Sequence, residues 1–218
     1  MTIYRISMYA KATAAQLVAI DIDVASFAHF SALGTWSKSK GLCPGCQASS
    51  QDYIEPLLVQ WEPSSDVIGD FSWDGPYGYL SIVTEPVAGF LRQHAFECMF
   101  LDVEYVAPEK PRGRSKCVPY PYTGPKQFWV KSKTFLDLDL DASNVVLEED
   151  CPLCGRQDYT FRYEGIVIPR SNWHGEKMFR IRTNGRSLAT FVTEEGRQLI
   201  EGEKFSNVAF RPAGVIRE

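Results

Sequence analysis

Cysteine spacing constrains this chain more than any other feature. Cys43-Pro44-Gly45-Cys46 and Cys151-Pro152-Leu153-Cys154, the second followed by Gly155, are two Cys-x-x-Cys pairs. Such a pair on a tight turn aims two sulfurs at one point, so two pairs supply the four thiolates of a tetrahedral Zn²⁺ site. Gly155 suits the backbone angles of such a knuckle, whereas the first pair carries its glycine, Gly45, inside the motif and is followed by Gln47. A compact zinc ribbon separates its pairs by roughly 15–20 residues. Here 104 residues lie between Cys46 and Cys151. The predicted ligand set, Cys43, Cys46, Cys151 and Cys154, therefore ties together distant parts of the chain. With every position filled by protein sulfur it has no exchangeable water, so the zinc is expected to be structural.

The two halves resemble each other. At a constant offset of 109, Val83, Thr84, Glu85 and Phe96 fall on Val192, Thr193, Glu194 and Phe205, and the apolar Phe90 and Leu91 fall on Leu199 and Ile200. Cys43 and Cys151 differ by 108. The pattern predicts an α+β fold, a two-fold internal repeat of mixed strand-helix-strand units joined by a zinc-ribbon-like four-cysteine site. The first unit spans residues 1–107, a Pro-rich basic linker or loop spans 108–126, and the second unit spans 127–218, the two packing separately or as one domain. Strands are expected over 3–9 and 79–83. A helix is expected from Thr84 and Glu85 to about His94, because Thr is a good N-cap, Glu favours the positive helix start and Pro86 is tolerated in the first turn. Thr193, Glu194 and Glu195 repeat that start.

Charge and composition narrow the function classes. Twenty-three Lys and Arg against 27 Asp and Glu leave a net charge of −4, which offers no general attraction to nucleic acid and favours a basic partner. The cluster Lys110, Arg112, Arg114 and Lys116 lies among prolines and reads as a solvated loop. Its alternative is a zinc-ribbon nucleic-acid-binding or regulatory module. No stretch approaches the roughly 20 apolar residues of a membrane span, and the N-terminus, Met1-Thr2-Ile3-Tyr4-Arg5-Ile6, reads as a strand and not as a secretion signal. A cytoplasmic protein with reduced thiols is expected, with Cys98 a buried strand thiol and Cys117 a loop thiol.

Catalytic candidates are few. His29, His94 and His174 have no dyad spacing, Glu85 and Glu194 are explained by their helix starts, and no nucleophile elbow, phosphate loop or His-Glu-x-x-His motif is present. A thiol oxidoreductase would want one Cys-x-x-Cys opening a helix, and two pairs in similar contexts fit metal better. The chain therefore reads as a non-enzyme. Leu136-Asp137-Leu138-Asp139-Leu140-Asp141 alternates strictly, which predicts an edge strand with leucines on one face. Its aspartates Asp137, Asp139 and Asp141, near Glu148, Glu149 and Asp150, form a candidate acidic surface for a partner, beside tryptophan anchors drawn from Trp36, Trp61, Trp73, Trp129 and Trp173, with Trp73 and Trp173 foremost.

The ordered set Cys43 to Cys46, Gly69-Asp70-Phe71-Ser72-Trp73, Cys151 to Gly155, Phe179-Arg180-Ile181-Arg182, Thr193-Glu194 and Asn207-Val208-Ala209-Phe210 resembles the double-CXXCG proteins, a myxobacterial paralogous family. The likeness covers nearly the whole length, and Gln47 in place of the first trailing glycine departs from it. Some members of that family act as immunity proteins. The resemblance thus implies a cognate polymorphic toxin as partner, bound and neutralised by blocking its active site.

Overall fold

The computed structural model describes residues 1–7, 27–33, 43–46, 55–63, 65–74, 80–108, 116–143, 145–154, 157–160, 165–182 and 190–218. Its strands are β1 (Thr2–Ser7), β2 (Phe30–Leu33), β3 (Leu57–Trp61), β4 (Phe71–Trp73), β5 (Ser81–Thr84), β6 (Cys98–Leu101), β7 (Val103–Val106), β8 (Gln127–Ser132), β9 (Phe135–Asp137), β10 (Val146–Asp150), β11 (Gln157–Thr160), β12 (Ile166–Pro169), β13 (Met178–Arg182), β14 (Thr190–Thr193) and β15 (Ala209–Arg217). The helices are α1 (Glu85–Gln93) and α2 (Glu194–Gly202), with a 3-10 turn at Arg170–Asn172. A six-stranded sheet runs β12-β15-β1-β14-β13-β9, a four-stranded sheet β4-β5-β8-β6, a three-stranded sheet β2-β3-β7, and β10 pairs with β11 alone.

The expected α+β repeat is corrected by this architecture. Among the described residues the protein is mostly β, with two nine-residue α-helices. The segments at offset 109 do share local structure, β5 and α1 on one side and β14 and α2 on the other. They do not close into two units. β8 inserts antiparallel between β5 and β6 in the four-stranded sheet, and β1 inserts antiparallel between β14 and β15 in the six-stranded one. Each sheet thus takes a central strand from the other side of residues 108–126, and neither satisfies its backbone hydrogen bonds alone.

Side-chain alternation explains why so many strands read as unbroken apolar runs. In β8, Phe128 and Val130 face one core cluster while Trp129 faces another. In β14, Val192 and Phe191 do the same across the six-stranded sheet. Strands buried on both faces lose the polar half of the period-two pattern. The helices fill the layer between: α1 buries Val87, Ala88, Phe90 and Leu91, and α2 buries Gly196 and Ile200, in one cluster with Phe71, Trp73, Val83 and Met178. Thr193 accepts the hydrogen bond of Gly196 N as a helix cap, but Thr84 makes no side-chain cap bond, and its hydroxyl lies 3.4 Å from Asp70 Oδ1.

The third cluster lies inside a nearly closed barrel. Chain direction carries β6 into β7 through Asp102, so β6 pairs with β8 while β7 pairs in parallel with β3. A single parallel bridge, Phe30 to Asp74, links β2 to the end of β4. Inside sit Phe30, Leu57, Val59, Trp61, Ile82 and Trp129.

The edge strand expected over residues 136–141 ends early. β9 stops at Asp137, pairing in parallel with β13 at the margin of the six-stranded sheet. Asp139 Oδ1 then accepts from Ala142 N at 2.9 Å and its carbonyl from Ser143 N at 2.9 Å, which turns the chain. Leu136 is buried, while Leu140 is 43% exposed.

A polar lock joins residues 69–73 to 206–207. Asp70 accepts from Ser206 N at 2.8 Å and Ser206 Oγ at 2.7 Å. Trp73 Nε1 donates to Asn207 O at 2.8 Å, and Asn207 Nδ2 donates to Phe71 O at 2.8 Å. Asn207 adopts φ 57°, a left-handed conformation that Asn tolerates better than most residues. Gly69 is required opposite it, since a Cβ there would come within 2.6 Å of Asn207 Cβ. Asn207→Ala should therefore lower stability by about 2–3 kcal/mol, from the buried carbonyl left unpaired and the strained φ. Asn207→Gly, which keeps the backbone freedom, should cost less. Urea unfolding midpoints check this, and equal losses for the two variants would show that φ contributes nothing.

Candidate metal centre and partner surfaces

The four predicted cysteines meet. Cys43, Cys46, Cys151 and Cys154 place their sulfurs all within 4.8 Å of one another. Cys43 Sγ lies 3.7 Å from Cys151 Sγ, and Cys46 Sγ lies 3.7 Å from Cys154 Sγ. A metal at the tetrahedral Zn–S length of about 2.3 Å has S···S edges of about 3.8 Å. The donor set therefore fits a thiolate-bound ion, and all four thiols are free of disulfide bonds.

Local structure explains the aim of the sulfurs. The second pair occupies the tip of the antiparallel hairpin β10–β11, on the turn Pro152–Cys154, and the first occupies the turn Pro44–Cys46. Backbone N–H groups of Cys46 and then Gly45 donate to Cys43 sulfur, which brings its thiol down to about 6 against the opposing effect of burial. Cys43 and Cys151 form the inner side of the cluster and Cys154 its exposed side. Gly45, which departs from the usual motif, has a role in the contact itself. A Cβ there would meet Leu153 Cδ1 at 3.0 Å and Cys151 Sγ at 3.2 Å. The smaller residue in one knuckle makes room for leucine in the other. Gln47 and Gly155 lie outside the described residues.

The two remaining cysteines stand apart from this centre. Cys98 is a buried β6 thiol pushed up to about 12 by burial, and Cys117 is a loop thiol also raised by burial. Neither is poised as a nucleophile.

The predicted partner residues separate into exposed and buried groups. Asp137 and Asp141 are exposed, and Asp139 is half-buried in its turn. Trp73 is 2% exposed with its ring N–H turned inward, so the structure places it in the core with Trp61 and Trp129. Trp173 is half-buried, its N–H bonded to Glu176 O at 2.9 Å and its ring covered by Arg170 at 4.2 Å. Trp36, Lys110, Arg112 and Arg114 lie outside the described residues. Lys116 pairs with Asp66 at 3.5 Å. His94 caps α1 and packs its ring 4.4 Å from Phe90, while Glu194 is held by Arg197. No helix among the described residues is long and apolar enough to cross a membrane.

Sequence reasoning missed two things here. One is the fit between Gly45 and Leu153. The other is a cleft beside Asp102, whose residues come from segments with no shared motif.

No protein-family model matches this chain, and no curated protein matches it.

Metal analysis of the purified protein should find one ion per chain. Cys43→Ser and Cys151→Ser should abolish that stoichiometry and lower the thermal midpoint, because metal binding free energy becomes folding free energy. Cys98→Ala should leave the metal content unchanged. Retention of a full equivalent of metal in both serine variants would remove the four-cysteine assignment.

Proposed function

We propose that this protein is a non-enzymatic immunity protein that binds a cognate polymorphic toxin and neutralises it by blocking the toxin's active site, with a structural zinc as its internal clasp. One observation supports the clasp: four cysteine sulfurs, from knuckles 108 residues apart, lie within 4.8 Å of one another, a donor set that would fill a tetrahedral ion without substrate or water. Tetrahedral donation by four sulfurs suits Zn²⁺, whose d¹⁰ configuration imposes no other geometry. Cys43, Cys46, Cys151 and Cys154 would hold the ion, which when bound supplies cross-linking and no redox or hydrolytic chemistry. Free thiols throughout agree with a reducing, cytoplasmic setting.

Support for the toxin as partner comes from the resemblance and from charge. The ordered motifs resemble those of the double-CXXCG proteins, Gln47 excepted, and the net charge of −4 complements a basic toxin domain such as a nuclease. Lys116, the described member of the basic cluster, is already paired with Asp66, which weakens the nucleic-acid alternative.

Affinity capture from the native host, followed by co-expression of the captured domain, tests the proposal. A stoichiometric partner that stops growth alone, and is harmless when this protein is present, is the expected result. Cys151→Ser should fail to protect. Capture of nucleic acid that releases as salt is raised, with no protein partner, would replace the proposal with a regulatory module.

A further inference from the structure

Where β6 passes into β7 at Asp102, the strand leaves β8 and joins β3, and the barrel wall opens. The gap is a cleft of about 560 Å³ lined by Glu55, Asp102, Glu104, Tyr105, Tyr122, Lys126 and Gln127, among others. β7 ends its sheet, and among the described residues it pairs with β3 alone, which leaves its other edge open.

The cleft is a built site. Gln127 is 2% exposed, and its Oε1 accepts the hydroxyl of Tyr105 at 2.6 Å, which leaves the amide Nε2 without a partner among the described residues. A buried donor left unpaired costs about 1–3 kcal/mol, so it marks a place for an acceptor. Tyr105 and Tyr122 pack with ring centroids 4.4 Å apart, and Trp61 stacks on Tyr105 at 6.3 Å. Tyr122 is held by its own bond to Pro125 O at 2.8 Å, and a Cβ on Gly124 would come within 2.6 Å of its ring. Glu55, Asp102 and Glu104 line the cleft together with one lysine, Lys126. Glu55 Oε1 accepts from Asp102 N at 3.0 Å, Lys126 lies 3.8 Å from Asp102, and Glu104 has no ion-pair partner among the described residues.

We propose that this cleft receives an extended, Lys- or Arg-bearing segment of a partner protein, laid along the open edge of β7. A peptide carbonyl satisfies the Gln127 amide, and a basic side chain meets the carboxylates lining the cleft, exposed Glu104 among them, while Tyr105 on the other face of β7 stays packed against the barrel core. Phosphate polymers are repelled by the same carboxylates, which selects polypeptide over nucleic acid. This rests on the immunity reading only for the identity of the partner, a basic segment of the toxin.

The full-length, metal-loaded protein is titrated with a capped peptide alternating lysine and valine, following the Gln127 side-chain amide by NMR. Saturable movement of that resonance is expected, with binding about tenfold weaker in Glu104→Lys, an exposed site, and absent for a peptide with glutamate in place of lysine. No saturable shift, or equal binding by Glu104→Lys or by the acidic peptide, overturns the proposal. In the co-expression assay, wild-type protection lost in Glu104→Lys and kept in Asp141→Lys supports it. Protection kept in Glu104→Lys refutes the cleft while immunity stands. If the wild type does not protect, the immunity reading fails and the titration alone decides the cleft.

Discussion

Reciprocal strand insertion is the constraint on which the rest of this structure depends. β8 completes the sheet that holds β5 and β6, and β1 completes the sheet that holds β14 and β15. A central strand supplies hydrogen bonds on both edges, so removing either leaves two unpaired neighbours in a buried sheet. The consequence is a fold in which the six-stranded sheet waits for the N-terminal strand and the four-stranded sheet waits for the strand after residues 108–126. The two knuckles, 108 residues apart, meet outside those sheets, the second on the separate β10–β11 hairpin, where four sulfurs can share an ion.

The metal centre and the polar lock divide the work of holding that arrangement. At the centre, Gly45 of one knuckle lies against Leu153 of the other, and an ion bound by the four sulfurs would add its binding free energy to that contact. Across the core, Asp70, Trp73, Ser206 and Asn207 form a network whose donors and acceptors pair with one another at 2.7–2.8 Å. Satisfied buried networks of this type favour one register over its neighbours, because a shifted register leaves polar groups unpaired at a cost of about 1–3 kcal/mol each. The Gly-Asp-Phe-Ser-Trp and Asn-Val-Ala-Phe motifs are therefore two sides of a single contact.

Local chemistry was legible in the sequence and long-range geometry was not. The cysteine pairs can be read because two sulfurs on one turn are a short-range device, and their convergence follows from the ligand count a tetrahedral ion needs. Both helix starts can be read because Thr followed by Glu marks and charges a helix end within one turn, although only Thr193 makes the side-chain cap bond. Sheet order carries no such local mark. Nothing in Thr2–Ser7 or Gln127–Ser132 announces that each belongs beside the other's neighbours, which is why the repeat pattern predicts two like units and not the exchange of strands between them. The alternating Leu and Asp run misleads for a related reason, since a period-two pattern does not show where Asp139 will turn the chain. Trp73 reads as an anchor because tryptophan suits both interfaces and cores, and only its burial and its bond to Asn207 O distinguish them here.

The acidic cleft and the barrel have the same origin. A strand of the barrel wall must change partners at Asp102, from β8 to β3, because the first belongs to a sheet built around the inserted strand and the second to the three-stranded sheet. A closed wall would have paired Gln127 and β7 with each other. The break instead leaves an open edge, an unpaired buried amide and carboxylates around them, held by aromatic packing that reaches down to Trp61 in the barrel core. A break of this kind is a surface that the proposed partner segment would complete. The four clustered cysteines are not among the residues that line this cleft, so an ion held by their sulfurs would not compete with a segment laid in it.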